Sequence, residues 1–399
     1  MTEDARPARY ADVFGIAEFR ALFVSYVISM LGDVIAAVAL TVLVYQRTGS
    51  SALAAATFSI AFVPYLLGGA LLSSVVDRLP SRTVLVVCDL VSAGLVAVMA
   101  LPVVPVPVLF VLLIMLSLIA PIFSGVRAAT LPDVLPVTSS FVLGRSLLRM
   151  SAQIVQVAGN GVGGLLLIVL SPHGALGVDA ASFLIAAVLI RFGTKDRPRR
   201  VAESEGSMVR DSLRSLSGLL GQPVLRRLFL FGWLLPTCTS APEALAAPYT
   251  HEIGRPSSAV GLFLIGLPAG TAISDLLVAR LARMRIQARL VTPGALLTCV
   301  PLLVFLFRPG LAVAVVVLFI AGLGCAYMPG FDQRLVGATT EQNRGRALAA
   351  YTAGLIGFQG VGFIFWGSVA EFASPQYVIA AAAVCALVAV LALRPRQSS

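Results

Sequence analysis

Histidine is nearly missing from this chain: His173 and His251 are the only two. Its five cysteines, at 88, 238, 299, 325 and 385, all lie in apolar runs without a C-x-x-C pair. Neither a zinc site nor a disulfide framework is therefore spelled. No nucleophile has a histidine partner, and no G-x-x-x-x-G-K-[ST] loop cradles a phosphate. Enzyme chemistry, a resident metal or cofactor, and ATP as an energy source are left without a basis. A cleavable signal peptide is not spelled either. Polar residues 1–18 lead into an apolar run longer than a signal core, with no small-residue cleavage site behind it.

Charge is scarce too, at 12% of residues, whereas 58% are hydrophobic and the mean hydropathy is +0.94. Soluble domains carry roughly 45–50% apolar residues, so the chain belongs in a bilayer. A helix needs about 20 apolar residues to cross the hydrocarbon. Breaks at charges, Pro and Gly divide the sequence into spans near 20–45, 52–76, 83–102, 107–126, 146–170, 175–192, 227–250, 258–279, 289–307, 311–331, 347–370 and 376–393. The expected fold is an all-α membrane protein with twelve transmembrane helices in two six-helix bundles.

With the N-terminus placed in the cytoplasm, all of the 29 Lys and Arg except Arg47, Arg255 and Arg308 fall on cytoplasmic segments. Basic residues favour that side, so both termini are expected in the cytoplasm of a cell whose inner membrane holds the protein. The net charge of +10 then answers to topology and anionic headgroups, and nucleic acid is an unnecessary partner. One long polar stretch, 193–223, separates six spans from six. The expected organisation is a bundle over 1–192, a cytoplasmic linker over 193–225 and a second bundle over 226–399. Residues 209–220 read equally as an amphipathic surface helix or as part of a flexible connector. "LPDVLPVTSSFVLGRSLL" after span 4 and "VGATTEQNRGRALAAY" after span 10 both end in Gly-Arg before a glycine-bearing span, as repeats in a transporter would.

Ordered strings then carry a family resemblance. They are "FRALFVSYVISMLGD" with "LTVLVYQRTGSSAL", "VDRLPSRTVLVVCDL", "AATLPDVLP", "GNGVGGLLL", "GVDAASFLIAA" and "EQNRGRALA". Together the chain resembles the major facilitator superfamily, in its drug or macrolide efflux-like branch of bacterial exporters. The superfamily's loop between spans 2 and 3 is similar to G-x-x-x-D-R-x-G-x-R-R. Here Ser73, Asp77, Arg78, Pro80, Arg82 and Thr83 stand at those places, followed by Asp89 in span 3. The resemblance implies a charge-assisted gating lock made by Asp77, Arg78 and Arg82, with Asp89 placed with them in the gating set; the alternative is a solvated loop whose arginines set topology. Exporters of the superfamily carry a pattern similar to G-P-x-x-G-G on span 5. Gly159, Asn160, Gly163 and Gly164 match it with the proline replaced. Tight packing and bending would follow from those glycines, as would ordinary glycine-mediated contact.

Arg145, Arg149, Gln153, Gln156 and Asn160 form one polar stripe on span 5, pointing at a cavity or at the other bundle. Asp33 is the acid most in need of a reason, since a carboxylate at the bilayer centre costs roughly 2.5–3.5 kcal/mol on insertion scales. It lies about 20 Å of helix beyond Arg20, on a small and polar face with Ser29, Gly32, Ala36 and Ala37 expected to line water. The resemblance implies an acid here that meets protons and cationic substrates; a helix-to-helix hydrogen bond is the bland reading. Glu243 and Asp275 are further proton or substrate candidates, equally readable as partners of arginine or backbone. Asp179 and Asp332 read as structural.

The expectation is a monomeric, proton-coupled exporter of amphipathic, drug-like or secondary-metabolite molecules. A proton-coupled nutrient importer, an exporter of a siderophore-like or lipid-like solute, and a non-transporting scaffold or sensor remain as alternatives.

Overall fold

The computed structural model describes residues 10–60, 80–135, 138–195, 221–281, 284–339 and 341–393. Their regular structure is helical throughout, with no strand among the described residues. Eight described helices are long and apolar enough to cross a membrane, and shorter apolar helices at Ser51–Ile60, Ile154–Val169 and Val291–Phe307 add to them. The described part of each of the twelve runs read from the sequence falls largely on helix, with turns at run ends such as 100–102 and within the seventh run. Residues 61–79 and 196–220, which hold the rest of the second run, Asp77, Arg78 and the candidate surface helix, lie outside the described residues.

The N-terminal helices are α1 (Tyr10–Gly15), α2 (Ala17–Thr48), α3 (Ser51–Ile60), α4 (Ser81–Met99), α5 (Val106–Val134), α6 (Thr138–Val169) and α7 (Pro172–Gly193). Short turns make the long ones alternate in direction. The α2 stop is local: Gly49 adopts a left-handed φ of 66° and returns its N–H to the Tyr45 carbonyl at 2.8 Å. Only a residue without Cβ does this cheaply. Helix α2 packs most heavily on α7, and α4 packs on α7 and α5. Leu40, Leu43, Val96, Met99, Leu109, Leu176 and Phe183 interlock between them. The opposite faces of α5 and α7 expose Val111, Met115, Leu184 and Val188, as helices solvated by lipid tails do.

The C-terminal helices are α8 (Pro223–Thr239), α9 (Ala241–Ala244), α10 (Ala246–Glu252), α11 (Ser258–Leu281), α12 (Met284–Arg289), α13 (Val291–Cys299), α14 (Leu311–Leu323), α15 (Tyr327–Gly337), α16 (Glu341–Val369) and α17 (Pro375–Leu393). A 3₁₀ segment, Val300–Phe307, continues α13, and Gly324–Ala326 joins α14 to α15. The seventh run is broken into α8, α9 and α10 rather than continuous. Pro236, Pro242 and Pro248 remove N–H donors along it, and the Thr237 carbonyl beside the break accepts from Trp366 Nε1 at 2.9 Å and Ser240 Oγ at 2.8 Å. Such breaks persist inside a membrane protein when neighbours re-satisfy the backbone. Phe229, Trp233, Phe231, Phe331 and Tyr351 form the aromatic core beside them.

The two sets of helices meet at the end of the bundle that holds the α2–α3, α6–α7 and α16–α17 turns, termed the distal end. Here α6 crosses α11 and α3 lies along α16. The span 5 glycines occupy the junction. Gly159 and Gly163 face α2, whereas Gly164 faces α11, where an added Cβ would stand 2.7 Å from the Ser258 carbonyl and 3.0 Å from the Gly261 Cα. At Gly163 the nearest atoms would be 3.4 Å and 3.5 Å away, an ordinary contact. Gly164→Ala should therefore destabilise purified protein by about 1–3 kcal/mol, the usual cost of overpacking, while Gly163→Ala stays near wild type. Thermal unfolding in detergent checks this, and equal melting of the two variants would contradict it.

Candidate functional site

Near the middle of α2, Asp33 is exposed, although Gly32, Val34 and Ile35 on either side of it are buried. The charges acting on it come from inside the N-terminal helices. Arg127 on α5 attracts it, and it in turn acts on Asp89 of α4 and Asp179 of α7. Four helices thus direct three carboxylates and one guanidinium into one region. The Arg127 guanidinium lies over two aromatic faces, 4.3 Å from the Tyr26 ring centre and 4.2 Å from that of Phe123. Cation–π contact offsets part of the lost hydration.

Asp89 and Asp179 are 1% and 0% exposed. Asp179 is held against α2, because a Cβ on Gly32 would overlap its Oδ1 and the Ser182 Oγ. Glycine at 32 is what lets the two helices come that close. The polar face expected on α2 is consequently divided: Ser29 and Gly32 are buried, whereas Asp33 remains open.

Arg127 is the residue the sequence reading missed as a site member. It was assigned to a cytoplasmic loop because the apolar run was ended at 126, but α5 continues to Val134 and carries Arg127 inside it. Phe123, one turn earlier on α5, and Tyr26 on α2 are the aromatic signals that mark it.

The other expected residues fall elsewhere. Glu243 is half-buried in the short α9 and Asp275 is half-buried on α11, and neither joins the Asp33 region. Arg82 is half-buried in the first turn of α4. Asp332 is exposed on α15. Helix α6 includes Arg145, Arg149, Gln153 and Gln156; of these side chains only that of Gln156 is described, and it is half-buried. Asn160, continuing that line, is buried and donates from Nδ2 to the Leu264 carbonyl of α11 at 3.1 Å. Among the described residues no group of three His, Cys, Asp or Glu is placed to hold a metal ion.

At the distal end, polar contacts fasten the two sets of helices. Gln46 Nε2 donates to Ser257 Oγ at 2.8 Å, and Ser59 Oγ donates to the Gly360 carbonyl at 2.8 Å. Glu371, in the α16–α17 turn, accepts at one oxygen from the Ser50 hydroxyl and the Ala52 N–H, both at 2.8 Å. It caps α3 from the opposite set of helices, where a negative charge also meets the positive end of a helix. Tyr45, His251, Glu252 and Phe372 line a cavity of about 670 Å³ beside this contact.

The fold and the matches now define a class. The chain matches the family model described as Major Facilitator Superfamily over residues 22–332. It belongs to that superfamily and is a multi-pass membrane transporter. It is similar to the nucleoside transporter NupG, with 17% identity, coverage of 94% of this chain and 98% of that one, and a TM-score of 0.74. A bacterial homolog of the human lysosomal transporter Spinster, in an inward-facing and unoccupied conformation, gives 14%, 95% and 96%, and 0.71. The human organic anion transporter MFSD10 (TETRAN) gives 18%, 94% and 99%, and 0.63. No curated protein sequence matches the chain.

Removing the Glu371 charge should loosen the distal contact. The Ala52 N–H holds this carboxyl below the usual glutamate range, aided by Ser50 and the Ser51 N–H and opposed by partial burial. A carboxyl lowered by its closed-state partners stabilises that state above its ordinary pKa, and the effect is lost as pH falls through the lowered value. Closure at the distal end should therefore hold from neutral to mildly acidic pH and weaken only below the ordinary range, about 4.3. Glu371→Gln should shift the population a few-fold toward separation even at neutral pH. Spin-label distances between positions 103 and 255 in a cysteine-free background report this; superimposable distributions would contradict it.

Proposed function

We propose that this transporter is a proton-coupled secondary exporter of amphipathic, drug-like or secondary-metabolite molecules, working by alternating access across the bacterial inner membrane. The observation that carries this reading is Asp33: an exposed carboxylate midway along an apolar helix, set against Arg127 and two further acids. A charge kept at that depth has to reach water inside the protein, and that is where a proton or a cationic cargo is exchanged. The distribution of basic residues supports an orientation with the distal end outside the cell. The contacts made there by Glu371, Gln46 and Ser59 then belong to a state closed toward the exterior.

In the proposed cycle, Asp33 takes a proton from one side and loses it when cargo arrives from the other. Arg127 supplies the positive charge that makes the ionised form tolerable. The residues before 193 and after 225 form the two bundles that rock about the site, and Asp77, Arg78 and Arg82 form the cytoplasmic lock. Asp89, placed with the lock by sequence order, is assigned instead to the charge region around Asp33. Gly164 provides the close crossing on which the halves pivot, while Gly159 and Gly163 seat α6 on α2.

The test is efflux of a panel of fluorescent amphipathic dyes from cells expressing the protein, with and without a protonophore. Wild type should extrude at least one dye in a protonophore-sensitive manner. Asp33→Asn, at equal membrane abundance, should lose uphill efflux while keeping downhill movement. Net accumulation of dye by wild type, or energised efflux that ignores the protonophore, would contradict the reading.

A further inference from the structure

The charges around Asp33 do not balance. Asp33 of α2 and Asp89 of α4 act on the single guanidinium of Arg127, while Asp179 of α7 meets Asp33 and has no counter-charge of its own among the described residues. Asp33 is exposed, but Asp89 and Asp179 are buried. Neither Asp89 oxygen has a hydrogen-bond partner, and Asp179 Oδ2 has none. An ionised carboxylate offers about four acceptor sites and is costly to bury with those sites empty. One guanidinium cannot serve three such groups.

The surroundings of Asp179 are more specific. Ser182 Oγ lies 2.8 Å from the Asp179 backbone carbonyl and 3.2 Å from Asp179 Oδ1. A serine hydroxyl has one hydrogen to give, and the shorter contact is to the backbone oxygen, which can only accept. The one hydroxyl hydrogen serves the backbone oxygen and reaches Oδ1 only over the longer contact, so the carboxyl is left with one weak contact at Oδ1 and none at Oδ2. A proton on the carboxyl resolves this: the acid O–H donates to Ser182 Oγ while Ser182 donates to the backbone.

We propose that Asp89 and Asp179 are proton-binding sites of the N-terminal helices, each carrying a proton in this conformation behind the exposed Asp33. This rests on the reading of Asp33 as the exchange site. Loading forms one O–H bond on each carboxyl with a proton delivered from water by way of Asp33. Release breaks that bond and returns the proton by the same route. Asp33 of α2 acts on both acids, Arg127 of α5 on Asp89 and Ser182 of α7 on Asp179, with Cys88 beside Asp89. The steps involve no electron transfer.

Infrared spectroscopy of the full chain, purified in an ester-free detergent at neutral pH, reads this without a substrate. The wild type should show carboxylic-acid carbonyl absorption that moves to lower frequency in D2O. Asp89→Asn and Asp179→Asn should each remove a component of it, and the double variant both; any contribution from Glu243 stays in all spectra and cancels. Ser182→Ala should raise the frequency of the Asp179 component, because its O–H loses an acceptor. If an Asn variant does not yield folded protein, Asp→Glu at the same position should shift that component rather than delete it. Asn variants with the wild-type spectrum would overturn the proposal, and loss in only one would overturn its two-site form. A spectrum that behaves as expected while Asp33→Asn still extrudes dye uphill would instead discard the exchange role of Asp33.

Discussion

Hydrocarbon cannot solvate an ion, so every charge in the interior of this chain must find a partner, reach water or take up a proton. The arrangement of Asp33, Asp89, Asp179 and Arg127 is governed by that constraint. Arg127 stacks on Tyr26 and Phe123 in the last third of α5, Asp33 and Asp89 are brought toward it by two other helices, and Asp179 of a further helix meets Asp33. In water such a set would interact only weakly; at low dielectric the same charges interact several-fold more strongly. Packing follows from it, since Gly32 has to lack a side chain for α7 to bring Asp179 against α2.

Much of this fold was legible because lipid imposes a simple rule: about 20 apolar residues per crossing, basic residues at one end. The described parts of all twelve runs fall largely on helix for that reason. Breaks inside a run were less legible. Pro236, Pro242 and Pro248 were visible, yet proline in a membrane helix produces a kink, a break or neither, depending on which neighbours cover the freed carbonyls. Here Trp366 does so from a residue far along the chain.

The site was legible in part. Asp33 stood out because an acid in an apolar helix is expensive wherever the fold puts it. Arg127 did not, because an arginine at the edge of an apolar run looks like a loop residue until the helix is seen to continue to Val134. The buried state of Asp179 depends on Gly32, a contact between helices far apart in sequence that no local pattern records. Glycines 159, 163 and 164 were recognisable as a group, but which of them meets α2 and which meets α11 is a matter of helix rotation.

Helix α2 joins these features. Within its 32 residues it carries Asp33 in the charge region and, three turns later, Tyr45 and Gln46 in the distal contact. In the proposed cycle, neutralising or exposing Asp33 changes what α2 gains by lying against α7, and the same rigid helix bears on the closure beyond it. The most direct test is the count of protons released when an exported dye is added to purified protein in weakly buffered detergent solution. The account predicts release by the wild type and none by Asp33→Asn at matched dye occupancy; equal release from both would contradict it.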